Sequence, residues 1–455
     1  MNHSSDRGHS SKRDLTHGSI RSHVLRLTAP MVVGLAAIFA VDLADAFWVA
    51  RLGTLELAAL GFCFPAIHVI FSISLGLSTA ATAIMAQRIG AGDVKNARRF
   101  ARDALVISVC IMALVSTIGI LTLEPVFHSI GARAETLEQV RLFMTVFYPS
   151  ALALVIPMVS NGMLRGAGDS FWPAMIMVIV AVMNAALDPL LIFGAGPVPA
   201  LGLQGAAWAT LISRIISIFV AVGILHYRER LISWSPPTWS SVVDSGRHIV
   251  RIGLPSATTN AITPLAIGLV TAVVAGFGNS AVAGLTTALR IEVCALLGVF
   301  ALAVGCFPVL AQNYGAGNFD RLGQARRFAL LTGCLIAIAV AIPVSMAARP
   351  ITGLFITDGI VHDTAAGFLA IVPWSWPGFA LVFVMASIHT ATGRPLLGAS
   401  LTVARMFAFL IPLTWLLSQA FGLPGVFGAF VAANLLSALV GLASLKLATS
   451  HRTVD

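Results

Sequence analysis

Four acidic residues stand inside otherwise apolar stretches of this chain: Asp42, Asp45, Asp188 and Glu292. An ionised acid near the middle of a bilayer costs about 2.5–3.5 kcal/mol on insertion scales, so one that is retained points to function by default. Asp42 and Asp45, in FAVDLADAFWVARLG (39–53), are three residues apart and occupy neighbouring parts of one helical face. Like charges that close in a low dielectric cannot both ionise easily. Asp188 lies in NAALDPLLIF, one helical turn after Asn184, and Pro189 has no N–H to offer the Ala185 carbonyl. Carboxylate, amide oxygen and freed carbonyl are hard oxygen ligands, suited to a small cation such as Na⁺ or to a proton relay. Arg290 and Glu292 are two apart, do not face each other on a helix, and each needs its own partner.

The elements that must hold these residues are membrane helices. The chain has 455 residues, 58% hydrophobic and only 10% charged, whereas soluble domains carry roughly a quarter charged residues. Twelve apolar stretches are long enough to cross a bilayer core of about 30 Å: 24–50, 56–86, 100–123, 138–164, 173–195, 201–226, 251–277, 282–311, 328–348, 365–392, 396–419 and 425–447. None alternates with period two, which excludes a β-barrel. Residues 1–22 are polar, lack an apolar segment of their own, and read as a disordered cytoplasmic tail; 448–455 form a second tail. The irregular spacing of the N-terminal histidines gives no metal pattern, and the five cysteines give neither a disulfide framework nor a metal site.

Basic residues set the orientation. With the N-terminus inside, 21 of the 28 Lys and Arg fall in cytoplasmic segments and four (Arg51, Arg133, Arg141, Arg349) in outer ones, which places both termini in the cytoplasm. A basic cytoplasmic rim facing anionic lipid accounts for the net charge of +9 and leaves no call for a nucleic-acid partner.

The chain also repeats itself. RSHVLRLTAP (21–30) is echoed by GRHIVRIGLP (246–255), and QRIGAGDVKNARRF (87–100) by QNYGAGNFDRLGQARRF (312–328), with an offset of 225 at Pro30/Pro255 and Gln87/Gln312. RGAGDSFWP (165–173) has a weaker echo in TATGRP (390–395). Six spans per half is an even number, so the halves run in one direction through the membrane and should be related by an axis along its normal. The expected organisation is all-α: twelve transmembrane helices in two pseudo-symmetric six-helix bundles, an N-lobe at 23–226 and a C-lobe at 251–447, joined by a cytoplasmic linker at 227–250. What both halves share is scaffold. Asp45 maps onto Val270 and Asp42 onto Ile267, so these acids belong to the first half alone.

VDLADAFWVARLGTLELAALGF, NGMLRGAGDSFWP, MNAALDPLLIFG and the Q-x-x-GAG loop with its Arg pair resemble the multidrug and toxic compound extrusion (MATE) transporters, over residues 21 to 447. In that family the span 1 aspartate lies eight residues before the Gly of an R-L-G turn. Counting back from Gly53 selects Asp45, leaving Asp42 as a neighbour that tunes it. The resemblance also implies roles for Asn161 in SNGMLRG and for Asn184 and Asp188, with Asp45 and Asp188 exchanging H⁺ or Na⁺ while Pro30 lets span 1 bend. Thr263 stands where the NorM-like branch has a span 7 glutamate, and span 10 has no aspartate, whereas Arg290-Ile-Glu292 looks DinF-like. That places ion coupling in the first lobe, with Arg290 and Glu292 as second-lobe candidates.

Other features carry ordinary readings. Trp374 and Trp376 near a span end suit interfacial anchoring, and His68 and His389 suit hydrogen-bonded core positions. Gly166–Asp169 and Gly90–Asp93 match the G-x-G-D pattern of intramembrane aspartyl proteases, but both lie at helix ends and neither has a Tyr-Asp companion. A lipid-linked precursor flippase would need several basic residues in its cavity, and only Arg214, Arg290 and Arg405 lie within spans. The expected function is therefore not enzymatic. It is cation-coupled antiport that exports drug-like, cationic or aromatic small molecules by alternating access, carried out by a monomer in a bacterial inner membrane. No cofactor is expected beyond the H⁺ or Na⁺ that couples transport.

Overall fold

The computed structural model describes residues 14–232, 236, 238–356 and 358–450. Among these the regular elements are helices, and the one bridge outside them joins Ala195 to Val198. Twelve spans follow in order: Ile20–Ala50, Thr54–Gly90, Val94–Leu121, Glu135–Gly166, Phe171–Phe193, Leu203–Arg228, Trp239–Ala275, Leu297–Gly315, Phe319–Met346, Gly359–Ala391, Pro395–Phe421 and Leu423–Leu445. Span 8 has a leading segment, Asn279–Ala295, separated from Leu297–Gly315 by a break at Leu296. A helix satisfies its own backbone groups, which lipid cannot do, and this is why the apolar runs fold this way. Span 1 continues as helix through Pro30.

The turns after spans 2 and 8 close on Gly92 and Gly317, both in the left-handed region at φ 76° and 71°. Glycine is the residue that adopts this conformation without a Cβ penalty. Asp93, beside the first of these turns, caps span 3. The Asn96 side chain and then its backbone N–H hydrogen bond to the Asp93 carboxylate and hold it below the usual carboxylate range. Asp169 likewise accepts the N–H groups of Phe171 and Trp172 at the start of span 5, at 2.9 and 3.2 Å. The aspartates of both G-x-G-D matches thus serve as helix caps.

Within the first lobe, spans 2 and 4 pack through small residues. A Cβ on Gly162 would overlap the Ser78 carbonyl, and one on Gly166 would stand 2.8 Å from the Thr82 carbonyl oxygen. Such glycines let membrane helices approach at backbone distance. The second lobe is filled by a core that includes Phe368, Trp376, Phe427 and Phe430. The compact units depart from the sequence halves within spans 1, 7 and 8: residues 29–257 and 311–317 group together, as do 258–310 with 19–28 and 318–455. Two glycines 225 residues apart mark the first of these groupings. A Cβ on Gly90 would overlap the Gln312 carbonyl, and one on Gly315 would overlap the Gln87 carbonyl.

Two expected boundaries are corrected. Residues 1–13 of the tail lie outside the described residues, but Leu15 and Thr16 are buried and not part of a free tail, and the first helix begins at Ile20. Leu15 is fully buried; its N–H donates to Gln312 Oε1 at 3.0 Å and its carbonyl accepts from Asn313 Nδ2 at 3.1 Å. The linker expected at 227–250 is helical from Trp239 onward. This helical start is tied to span 3 through buried Asp103, which accepts from Ser241 and Ser245 and pairs with Arg102 at 2.6 Å.

Between two prolines of spans 5 and 11 the halves also differ by one inserted residue. Fifteen residues separate Pro173 from Pro189 in span 5, and sixteen separate their counterparts Pro395 and Pro412 in span 11. Span 11 absorbs the extra residue as a π-helical segment at Ala404–Leu410, whereas span 5 is regular from Phe171 to Phe193. Segments of this kind inside α-helices cluster at functional sites.

Candidate functional site

In the first lobe the structure brings Asp45 of span 1 within electrostatic reach of Asp188 of span 5. Asp188 is fully buried. Both of its carboxylate oxygens, together with Asp45 Oδ1, are buried and meet no N–H or hydroxyl donor among the described residues. Asn184 sits one turn before Asp188 on the same face. Its amide donates to Thr210 Oγ1 of span 6 at 3.4 Å, and its own Oδ1 is buried and unmet. Buried oxygen acceptors without donors form a set that favours a small cation.

Arg214, one turn beyond Thr210, supplies positive charge within electrostatic reach of Asp45. Its Nη1 donates to Ser150 Oγ at 2.8 Å, and its guanidinium lies over the Phe147 ring at 5.0 Å. Asp42 is exposed and within electrostatic reach of Asp45, so it neighbours the pair without joining it. Asn161 is buried, its Oδ1 meets no donor among the described residues, and no hydrogen bond among them links it to Asp45 or Asp188. No cluster of three or more His, Cys, Asp or Glu occurs among the described residues.

The second lobe assembles a different group. Glu292 of span 8 accepts from Trp376 Nε1 at 2.7 Å and has Arg405 of the π-helical segment in electrostatic reach. Arg405 donates through Nη1 to Asn434 Oδ1 at 3.1 Å, and Asn434 donates to Ser375 Oγ at 2.9 Å. The Arg405 guanidinium lies over Phe379 at 4.9 Å. Trp376 is therefore corrected from interfacial anchor to buried donor, with no exposed surface, while Trp374 is 59% exposed. Arg290 is exposed and stands outside this group. His389 is a hydrogen-bonded core residue, 3.2 Å from Ser444 Oγ.

Sequence reasoning missed Thr210, Arg214 and Ser150 in the first lobe, and Trp376, Asn434 and Ser375 in the second. One signal for them lay in the repeat. GLQGAAWATLISR (202–214) and GLPGVFGAFVAAN (422–434) align residue by residue and set Arg214 against Asn434. The offset of 225 likewise sets Ser150 against Ser375.

Twelve spans in two repeated halves, with buried ionisable groups in each, define a polytopic membrane protein built as secondary transporters are. The MatE family model matches residues 30–190 and again 255–416, two segments that begin 225 residues apart. The chain belongs to this family, and is an integral membrane transporter rather than an enzyme. It is 33% identical to a FAD transporter of Shewanella oneidensis over 93% of each chain. It is 23% identical to a probable multidrug resistance protein, NorM, of Thermotoga maritima over 94% of this chain and 91% of that one. Among solved structures, an Asp-to-Asn mutant of the Vibrio cholerae MATE transporter VcmN matches with TM-score 0.90, 25% identity and 98% of both chains covered.

Proposed function

We propose that this protein is a cation-coupled antiporter that exports aromatic small molecules by alternating access. The observation that carries the reading is the Asp45–Asp188 carboxyl pair, whose buried oxygens meet no protein donor. Entry of H⁺ or Na⁺ from outside neutralises the pair, and its release inside resets the cycle. Each charge moving down 100 mV supplies about 2.3 kcal/mol. Asn184 and Thr210 extend the oxygen set, Asp42 tunes it from an exposed position, and Pro30 lets span 1 bend between states. Both termini face the cytoplasm of a bacterial inner membrane, the protein works as a monomer, and Glu292 is in keeping with a DinF-like branch.

Among substrates, the 33% identity to a FAD transporter favours a flavin dinucleotide over the multiple drugs that the names of relatives at 21–23% identity point to. The test is uptake into everted vesicles, with FAD and ethidium as separate probes and the pH and Na⁺ gradients imposed one at a time. Gradient-driven uptake that disappears in Asp45→Asn supports the reading; uptake indifferent to both gradients overturns it.

A further inference from the structure

The group around Glu292 and Arg405 has hydrogen-bonding capacity that the fold does not use. Glu292 commits Oε1 to the Trp376 indole, and no donor among the described residues meets Oε2. Arg405 offers five N–H donors and spends one of them, on Asn434. The two charges feel each other, yet no ion pair closes between them among the described residues. A membrane-embedded Glu and Arg avoid lipid and face either the bundle interior or a water-filled cavity.

Three phenylalanines adjoin them. Phe379, under the Arg405 guanidinium, stacks on Phe383 with ring centroids 5.9 Å apart and planes 14° from parallel. Phe300 meets both rings edge-on at 6.0 and 5.1 Å. Glu292, Phe300 and Phe379 are partly exposed, and Phe383 is 37% exposed. The inserted residue of span 11 places Arg405 where the first lobe has apolar Met183.

From this arrangement we infer that the second lobe carries a recognition site for a planar heteroaromatic ring whose edge presents an N–H beside a carbonyl. Glu292 Oε2 accepts the ring N–H, Arg405 donates to the carbonyl, and the phenylalanines meet the ring face. Paired acceptor and donor select such an edge, because a ring lacking the N–H leaves the carboxylate oxygen unpaired. A polarisable aromatic wall adds stacking that tolerates variation elsewhere in the ligand. The site rests on the proposed export of aromatic molecules and names the ring chemistry that this lobe reads.

The test measures binding of lumiflavin and of 3-methyl-lumiflavin to the purified full chain in nanodiscs, by quenching of flavin fluorescence. The two probes differ only in the edge N–H. The expected result is at least tenfold weaker binding of the methylated ring, with Glu292→Ala and Arg405→Gln each weakening lumiflavin about tenfold and erasing the discrimination. Phe383→Leu should cost a few-fold and keep it. The wild-type comparison of the two probes decides even if a variant fails to fold. Equal binding of both probes, or no binding of lumiflavin, overturns the inference. Asp45→Asn should still bind lumiflavin while losing gradient-driven export, so failure of the antiport reading is seen separately. Loss of binding in Asp45→Asn would place the ligand in the first lobe and overturn the second-lobe site.

Discussion

The two lobes hold their intramembrane arginines in matching frames and use them differently. In each, a serine at equivalent positions of spans 4 and 10 bonds the residue presented at equivalent positions of spans 6 and 12: Ser150 to Arg214, and Ser375 to Asn434. Each lobe also places a guanidinium over a phenylalanine ring, at 5.0 Å in the first and 4.9 Å in the second. The first lobe sets its arginine within electrostatic reach of Asp45 on span 1, the partner of Asp188 on span 5. The second carries apolar residues at those places, takes its acid from span 8, and moves its arginine to span 11. A duplicated scaffold thus keeps its hydrogen-bonding frame while the charges placed on it diverge. Two carboxyls without donors suit a cation; one carboxylate and an underused guanidinium suit an organic ligand.

The largest break in this comparison should come from the carboxyl pair. Asp45→Asn and Asp188→Asn each remove a group that changes charge in the proposed cycle, and either should reduce gradient-driven export to background in vesicles while immunoblots show normal protein levels. Next, deleting Ala408 should restore regular helix in span 11 and turn Arg405 by about 100° away from Asn434 and Glu292. That variant should keep its melting temperature within a few degrees but lose at least tenfold in flavin affinity. If affinity is unchanged, the divergence of span 11 has no bearing on the ligand.

How far the sequence alone reaches follows from these same residues. The spans were legible because lipid demands long apolar runs, and Asp45, Asp188 and Asn184 because acids and amides stand out against them. Arg214, Ser150 and Trp376 were not, since a hydroxyl, an indole or one more arginine in a span takes its meaning from a neighbour on another helix. The docking of Leu15 was hidden for a similar reason: its partners, Gln312 and Asn313, lie almost 300 residues away. The π-helical segment was encoded as one extra residue between two prolines, a signal visible only once the halves are aligned.

Two smaller effects sharpen the contrast between shared frame and divergent charge. Gly90→Ala and Gly315→Ala place a methyl group on a carbonyl oxygen of the opposing segment. Overpacking of this kind costs roughly 1–3 kcal/mol, so both should lower the melting temperature to a similar extent, as expected of common scaffold. Asp42→Asn should produce the smallest change, at most a two- to threefold drop in export rate, because the carboxylate is exposed beside the pair and does not bond within it. Complete loss of export there would mean that Asp42, and not Asp45, is the group that changes charge.

The central claim is that the first-lobe carboxyl pair converts an ion gradient into export. The most direct measurement is FAD transport into proteoliposomes of wild-type and Asp45→Asn protein, with a pH gradient and a Na⁺ gradient imposed separately and then dissipated. The account predicts accumulation against a FAD gradient by wild type under one of the two gradients, collapse when that gradient is dissipated, and no accumulation by Asp45→Asn. Equal accumulation by wild type and Asp45→Asn would contradict it.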